Sequence, residues 1–296
     1  MQEVFDRLWH QVLGRPYQAV CTVDEGTGDP PVVLLHGLGS SSKVWSNVVT
    51  LIKATHRVIA LDLVGFGESP KPSWLAYSVD DHARAVIASL KKQRIKRPII
   101  LVGHSMGCLV AVRVARMQPK LVKRLVLYEM PLYTDVPALK RYTLMRRLYF
   151  RAYSQVVKHP EYSPTNVHLA QKIAARLSGF AISKQTWIPY AKSLKNTIMK
   201  QQTAEDMRRL RVPMDLIYGS LDMVILRGHV QTIFDLEVTK ISTHMVRSRH
   251  KLTPRASAFI ATRIDENIEV PVRKMKIPSS FAKTKLSTAE SAQAQQ

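Results

Sequence analysis

Short apolar runs alternate with amphipathic stretches along the first 130 residues. The apolar runs occupy residues 32–35, 57–63, 98–102 and 122–128. Helical periodicity follows at residues 40–53, 80–94 and 105–118. A looser alternation over residues 17–24 predicts an edge strand. Strands that are apolar on both faces and alternate with helices are typical of a parallel sheet with helices packed on both sides. We therefore expect an α/β fold.

The pattern changes after Pro131. Residues 132–206 are basic, rich in Tyr and Met, and helical in period, with no strand pattern. The apolar pattern of a strand appears again at 212–219. A further strand is predicted at 238–245 and a final helix at 254–267. This order indicates a sheet domain that is interrupted by a helical insertion.

These boundaries define the expected domain organisation. The α/β core comprises residues 1–131 and 207–268, and residues 132–206 form a helical cap or lid. Residues 269–296 contain Pro, Lys, Ser, Ala and Gln with few apolar residues. A segment of that composition buries too little apolar surface to fold, so we expect a disordered basic tail.

Composition adds further expectations about the setting of the protein. The chain has 296 residues, 46% of them hydrophobic, which is enough for one large core. No apolar run approaches the roughly 18–20 residues of a transmembrane helix, and residues 1–16 do not resemble a secretory signal. Only Cys21 and Cys108 are present, so no disulfide framework is implied. A reducing, cytoplasmic setting is the simplest interpretation.

The charge is strongly positive, with 44 Lys and Arg against 22 Asp and Glu and a net charge of +22. The basic residues are spread along the chain and are not accompanied by a zinc-finger or RNA-binding motif. We interpret them as a solvated basic surface that can bind polyanions nonspecifically at low salt. No specific nucleic-acid partner is predicted, and the sequence indicates no oligomeric state.

Candidate chemistry centres on Gly103-His104-Ser105-Met106-Gly107, which lies between a predicted strand and a predicted helix. A sharp turn at this place lifts the hydroxyl of Ser105 clear of the sheet, and the flanking glycines allow the strand and helix to approach closely. The backbone N–H of Met106 then lies at a helix N-terminus, where a developing oxyanion is favoured. Ser105 is therefore a candidate nucleophile.

An earlier predicted strand ends in His36-Gly37-Leu38-Gly39. Its glycines allow the chain to bend sharply beside the end of the sheet. The N–H of Leu38 is then a natural second donor to an oxyanion.

The chain resembles the α/β-hydrolase superfamily, in its esterase, lipase and carbon–carbon hydrolase branch. Four motifs carry the resemblance: H-G-L-G at 36–39, D-L-V-G-F-G-E-S at 62–69, G-H-S-M-G at 103–107 and V-P-M-D-L-I-Y-G-S-L-D at 212–222. It implies an acid after the next-to-last major strand, where Asp222 lies, and a histidine after the last strand, where His250 lies. In this interpretation His250 takes the proton of Ser105, and Asp222 orients the imidazole.

Several neighbouring residues offer alternatives. Glu129 ends a predicted strand at a place where some members of the superfamily carry their acid. His244 falls inside a predicted strand and is a poorer base than His250. His104 flanks Ser105 and is a candidate for packing, hydrogen bonding or the wall of a substrate pocket. Asp62 resembles a structural turn aspartate.

The resemblance also limits the substrate. A serine at position 105 argues against the dehalogenase and epoxide-hydrolase branches, which need a carboxylate nucleophile. We expect hydrolysis of carboxylic esters of small to medium, fairly apolar substrates through an acyl-enzyme. Tyr142, Tyr149 and Trp187 of the insertion are candidates for the acyl pocket, together with His104.

Other functions remain open at this point. A carbon–carbon bond hydrolase, a thioesterase or a lactonase would use the same side chains. A ligand-binding protein of this fold is the alternative without catalysis, and the intact set of Ser105, Asp222 and His250 weighs against it. The sequence lacks both the ligand spacing of a zinc site and the G-x-G-x-x-G dinucleotide motif, so we expect no metal and no cofactor.

Overall fold

The computed structural model describes residues 2–132, 182–222 and 240–266, together with residues 154, 156 and 158. In this part of the chain, seven strands form one sheet in the order β1-β3-β2-β4-β5-β6-β7. The strands are β1 (Val20–Glu25), β2 (Val32–Leu35), β3 (Val58–Asp62), β4 (Ile99–His104), β5 (Val122–Tyr128), β6 (Met214–Gly219) and β7 (Ile241–Val246). All neighbouring pairs are parallel except β1 with β3, which is antiparallel. The predicted α/β class is confirmed.

The helices alternate with these strands. They are α1 (Gln2–Arg7), α2 (Ser46–Ile52), α3 (Val79–Lys92), α4 (Met106–Met117), α5 (Lys184–Ser193), α6 (Thr203–Arg209) and α7 (Pro254–Asp265). Wider π-helical turns extend α1 over Leu8–Val12 and α5 over Leu194–Met199, and a 3-10 turn at Ser42–Trp45 precedes α2. The helix at the N-terminus was not predicted, and α2 begins later than the serines at 40–42.

The strands are apolar at consecutive positions because the sheet is covered on both faces. In β2, Val33 and Leu35 join one core cluster, whereas Val32 and Leu34 join another on the opposite face. Helices α3 and α4 cover the first face, and α2 and α7 cover the second. Each large apolar side chain buried in this way contributes roughly 1.5–3 kcal/mol. Among the described strands, the two edge strands β1 and β7 are partly exposed along most of their length, and for β1 the looser alternation predicts this.

Side-chain caps begin three of the helices. Ser78 and Asp81 form a reciprocal capping box at α3, and Ser183 and Thr186 form another at α5. Thr253 accepts a hydrogen bond from the backbone N–H of Ala256 at the start of α7. These caps satisfy backbone donors that would otherwise lack partners, and so they help to define where the helices start.

Only part of the predicted insertion can be described. Helix α5 and most of α6 confirm helical structure near its C-terminal end. Residues 133–153 and 159–181 and the tail 269–296 lie outside the described residues, so the cap and the tail stay predictions. Val156 and Ile182 are buried in the same core cluster as α5.

Candidate active site

Ser105 joins the end of β4 to the start of α4 in a strained turn. Its φ of 51° and ψ of −119° lie in a region of backbone conformation that residues other than glycine rarely adopt. A Cβ atom on Gly107 would approach the carbonyl oxygen of Leu35 to 2.3 Å, and one on Gly103 would lie 2.6 Å from the backbone nitrogen of Cys108. The two glycines therefore allow the turn to pack between β2 and α4, as the motif predicts.

Three side chains that are distant in sequence meet at this turn. The Oγ of Ser105 lies 3.1 Å from Nε2 of His250, and Nδ1 of His250 lies 2.8 Å from Oδ2 of Asp222. The side chains of His250 and Asp222 are 7% and 1% exposed. The structure thus brings together the nucleophile, base and acid named from the sequence.

This geometry selects one tautomer of His250. A carboxylate can only accept, so Nδ1 carries the proton that is donated to Asp222, and Nε2 is left as the acceptor for the hydroxyl of Ser105. In this tautomer, the imidazole is oriented to receive the hydroxyl proton.

Tyr128 holds both sides of the site and was not singled out from the sequence. Its carbonyl oxygen accepts a hydrogen bond from the backbone N–H of Ser105 at 2.9 Å. Its hydroxyl lies 2.7 Å from Oγ of Ser248, 2.9 Å from the carbonyl oxygen of Arg249 and 3.2 Å from that of Lys251. One residue at the end of β5 therefore anchors the nucleophile turn and the loop that carries His250. A tyrosine ending an apolar strand gives no local signal of this role.

His104 lies behind His250. Its Nε2–H donates to the carbonyl oxygen of His250 at 2.8 Å, and its ring stacks on Tyr128 with 5.5 Å between the centroids. Burial is the main cause that lowers the pKa of His104, to about 3, so the ring is neutral. With a residue exposure of 2%, His104 occupies a packing and hydrogen-bonding position, and its part in a substrate pocket stays a prediction.

Glu129 follows Tyr128 and is fully buried, with a left-handed φ of 55°. Its Oε1 accepts the backbone N–H of Gly219 at 2.6 Å, whereas no described donor reaches its Oε2. Burial, and after it the adjacent Asp222, raise the pKa of Glu129 to about 11. Glu129 is therefore protonated at neutral pH, and its proton can be donated to Asp222. Glu129, the alternative acid in the sequence analysis, therefore lies next to Asp222, the acid that the resemblance implies.

Possible metal ligands also come together here. Single donor atoms of Glu129, Asp222 and His250 lie within 4.8 Å of one another. The contacts of His250 with Asp222 and of Glu129 with Asp222 account for this grouping as a hydrogen-bonded chain. We assign no metal to it.

The loop at residues 36–39 packs directly on Ser105. A Cβ atom on Gly37 would lie 3.1 Å from the Cβ of Ser105. His36 holds this loop in place, because its Nδ1–H donates to the carbonyl oxygen of Gly37 at 2.8 Å and its Nε2 accepts the N–H of Leu63 at 2.9 Å. Leu38 is thus carried next to the turn at which Met106 begins α4.

Of the predicted pocket residues in the insertion, Trp187 alone is described. It lies on α5, is fully buried, and stacks against Tyr190 with 6.4 Å between the ring centroids. The Tyr190 ring in turn lies 3.2 Å from where a Cβ on Gly39 would be. Helix α5 therefore covers the loop beside Ser105. Tyr142 and Tyr149 lie outside the described residues.

Asp62 and His244 occupy positions away from this chain of contacts. Asp62 accepts the backbone N–H groups of Ser42 and Glu68 at 2.7 and 2.8 Å, which is the role of a turn aspartate. His244 lies in β7 and contacts Asp215 at 2.9 Å. Neither side chain has a recorded contact with Ser105.

The fold and this arrangement define a class of protein. The chain belongs to the α/β-hydrolase fold family, whose model matches residues 30–235. The resemblance to the α/β-hydrolase superfamily is therefore confirmed, while the branch within it stays a prediction.

Relatives extend the comparison. The chain is 34% identical to the "Probable lysophospholipase BODYGUARD 3" of Arabidopsis thaliana over 111 residues, which are 36% of this chain and 22% of that protein. It is 38% identical to a haloalkane dehalogenase of Bradyrhizobium diazoefficiens over 117 residues, or 38% of this chain and 37% of that protein. These matches cover well under half of either relative.

Solved structures support the fold. A hydrolase from Oleispira antarctica superposes with a TM-score of 0.67 at 15% identity, over 81% of this chain and 91% of that one. A serine hydrolase involved in carbazole degradation gives a TM-score of 0.59 at 22% identity, over 81% and 90% of the two chains. Within the described residues, no helix combines the length and apolarity needed to cross a bilayer.

Proposed function

We propose that this protein is a serine hydrolase that cleaves carboxylic esters of small to medium, fairly apolar substrates. The observation that carries the proposal is the chain of contacts from Ser105 through His250 to Asp222, at 3.1 and 2.8 Å. Of the two relatives, the probable lysophospholipase has a name that fits ester hydrolysis, whereas the haloalkane dehalogenase is named for a different reaction.

The first half of the reaction acylates Ser105. His250 Nε2 accepts the hydroxyl proton while Oγ attacks the ester carbonyl, and Asp222 stabilises the imidazolium that forms. The N–H groups of Leu38 and Met106 stabilise the negative charge on the carbonyl oxygen. The tetrahedral intermediate collapses when the C–O bond to the alcohol breaks and His250 returns its proton to the leaving alcohol.

Deacylation repeats these steps with water. His250 removes a proton from the water molecule as its oxygen attacks the acyl carbon, and the proton then returns to Oγ of Ser105. The products are the carboxylic acid and a regenerated enzyme. In this scheme Glu129 stays protonated and supports Asp222.

Fluorophosphonate labelling tests the nucleophile. We expect the wild-type protein to be labelled and Ser105→Ala to be unlabelled, with ester hydrolysis reduced by about 10⁴-fold or more. Ser46→Ala, which changes an exposed serine on α2, is the matched control and should behave as wild type. A wild-type protein that is neither labelled nor active on esters would overturn the proposal and favour a ligand-binding function.

The acyl pocket needs a separate test. We propose that residues 132–206 form a cap and that its apolar side chains, including Trp187, contribute to the pocket. Each buried methylene contributes about 0.8 kcal/mol, so kcat/KM should rise about fourfold per added carbon until the pocket is full. A series of aryl esters from acetate to dodecanoate measures this, and a flat profile would contradict the pocket. Thioesters and lactones in the same panel distinguish the related activities.

A further inference from the structure

The N-terminal helix turns its apolar side away from the protein. Helix α1, its π-helical extension and the residue that caps the extension carry six large apolar side chains that are 48–72% exposed. They are Val4, Phe5, Leu8, Trp9, Val12 and Leu13. At about 100° per residue, all six fall within one half of the helical circumference. An apolar face of this extent on a surface helix is a mark of an interaction site.

The opposite, polar side of the helix is attached to the protein body. The ring of His10 stacks on Tyr17 with 3.6 Å between the centroids, and its Nδ1 lies 2.5 Å from the carbonyl oxygen of Arg15. The hydroxyl of Tyr17 donates a hydrogen bond to Asp6, and Trp74 packs against Tyr17 at 5.5 Å. These contacts hold the polar side of the helix against the protein, and the apolar side is therefore exposed to solvent.

Cations line the grooves next to Trp9 at one border of this apolar face. Trp9 borders a groove whose other walls include Arg15 on the following loop and Arg84 and Lys91 on α3. Lys71 lines an adjoining groove that Trp9 also borders. Acidic residues in the same region are Asp81, which pairs with Arg84 at 3.0 Å, and Glu3 and Asp6 of α1 itself. With a net charge of +22 for the chain, the surroundings favour an anionic partner.

A chain of contacts joins the helix to the candidate active site. Trp74, which packs near Tyr17, lies in a segment whose carbonyl oxygens at Ser73 and Leu75 accept hydrogen bonds from Lys192 at 2.6 and 3.0 Å. Lys192 belongs to α5, the helix that places Tyr190 on Gly39 beside Ser105. A partner bound to the helix would thus lie close to the segment that covers the site.

We propose that the N-terminal helix is a docking site for the surface of an anionic lipid bilayer. The Phe5, Trp9 and aliphatic side chains enter the boundary between headgroups and acyl chains, to a depth of about 5–10 Å, while the surrounding Arg and Lys contact the anionic headgroups. A second copy of the chain would bury the apolar side equally well, but it would place like charges against each other. This inference does not depend on the proposed esterase activity.

Vesicle flotation tests the proposal directly with the full-length protein. We expect wild type to float with phosphatidylcholine vesicles that contain 30% phosphatidylglycerol, and at least about tenfold less protein to bind to pure phosphatidylcholine. The double variant Phe5→Glu/Trp9→Glu should reduce binding to the anionic vesicles by tenfold or more. The control Leu51→Glu/Met245→Glu makes the same charge change at side chains that are 51% and 52% exposed elsewhere, and should bind nearly as wild type.

A second measurement separates insertion from purely electrostatic adsorption. Tryptophan emission is measured in a Trp74→Phe background, because Trp74 is only partly buried and lies beside the helix. The emission should shift to the blue on addition of anionic vesicles, and a further Trp9→Phe change should remove most of the shift, because Trp45 and Trp187 are already fully buried. Equal binding by both double variants, or no binding by wild type, would overturn the proposal. So would a wild-type dimer that dissociates in Phe5→Glu/Trp9→Glu, since the apolar side would then be a dimer interface.

Discussion

The carboxyl groups of Asp215, on β6, and Glu129, directly after the neighbouring strand β5, are both fully buried, yet they have opposite protonation states. Asp215 on β6 contacts Arg124 at 2.7 Å, His244 at 2.9 Å and Arg263 at 3.0 Å. Burial alone would raise the pKa of Asp215, but the hydrogen bond from His244 and the charges of Arg124 and Arg263 outweigh burial and lower it. Asp215 is therefore ionised.

Glu129, just after β5, meets another acid instead of a cation. Burial and Asp222 act in the same direction, so the pKa of Glu129 is raised and the group keeps its proton. The comparison teaches that equal burial does not give equal ionisation, because the nearest charged partner decides the result. It also separates a carboxylate that stabilises the fold from an acid that supports the candidate site.

The largest expected effect is the difference in kcat between an Asp222 variant and a Glu129 variant. If Asp222 is the residue that orients His250, Asp222→Asn should lower kcat by about 10³–10⁴-fold, since the amide favours the wrong imidazole tautomer. Glu129→Gln should lower it less than about tenfold, because the amide can still donate to Asp222 and accept from Gly219. Steady-state kinetics on the best ester give both numbers. The reverse ranking would make Glu129 the orienting acid.

The same change from carboxyl to amide, made at Asp215, should strongly lower the stability of the protein. In Asp215→Asn, the guanidinium groups of Arg124 and Arg263 stay buried without a compensating charge, so we expect a loss of about 3–5 kcal/mol in the free energy of unfolding. Urea denaturation at pH 7 measures it. Asp24→Asn breaks a half-exposed pair with Arg57 and serves as the control, with an expected loss under about 1 kcal/mol. Equal stabilities of the two variants would contradict this interpretation of Asp215.

Per pH unit, the smallest effect is the pH dependence of stability caused by Glu129. Its pKa is higher in the folded protein than the unfolded value of about 4.3, so the folded state binds more protons between these pH values. Stability from this group is therefore lost as pH rises, by up to about 1.4 kcal/mol per pH unit. Glu129→Gln should flatten the stability profile between pH 6 and 9 in urea titrations. An unchanged slope would mean that Glu129 is ionised.

Much of the fold was predictable because it rests on short-range patterns. Val32–Leu35 and the other apolar runs predict buried parallel strands, and the glycines of residues 103–107 predict a strained turn, which the φ of Ser105 shows. The N-terminal helix was missed because its apolar side does not face the core. The role of Tyr128 was missed because hydrogen bonds to residues 120 and more positions away leave no local trace.

The amino-acid sequence by itself determined the order of strands and helices, the turn at Ser105 and the family to which the chain belongs, since each depends on neighbouring residues. Only the tertiary structure decided that Ser105 and His250, 145 residues apart, lie within hydrogen-bond distance, and that Glu129 faces Asp222 while Asp215 faces two arginines. The physical reason is that ionisation and hydrogen bonding depend on separation in space, which folding sets through the packing of the whole sheet.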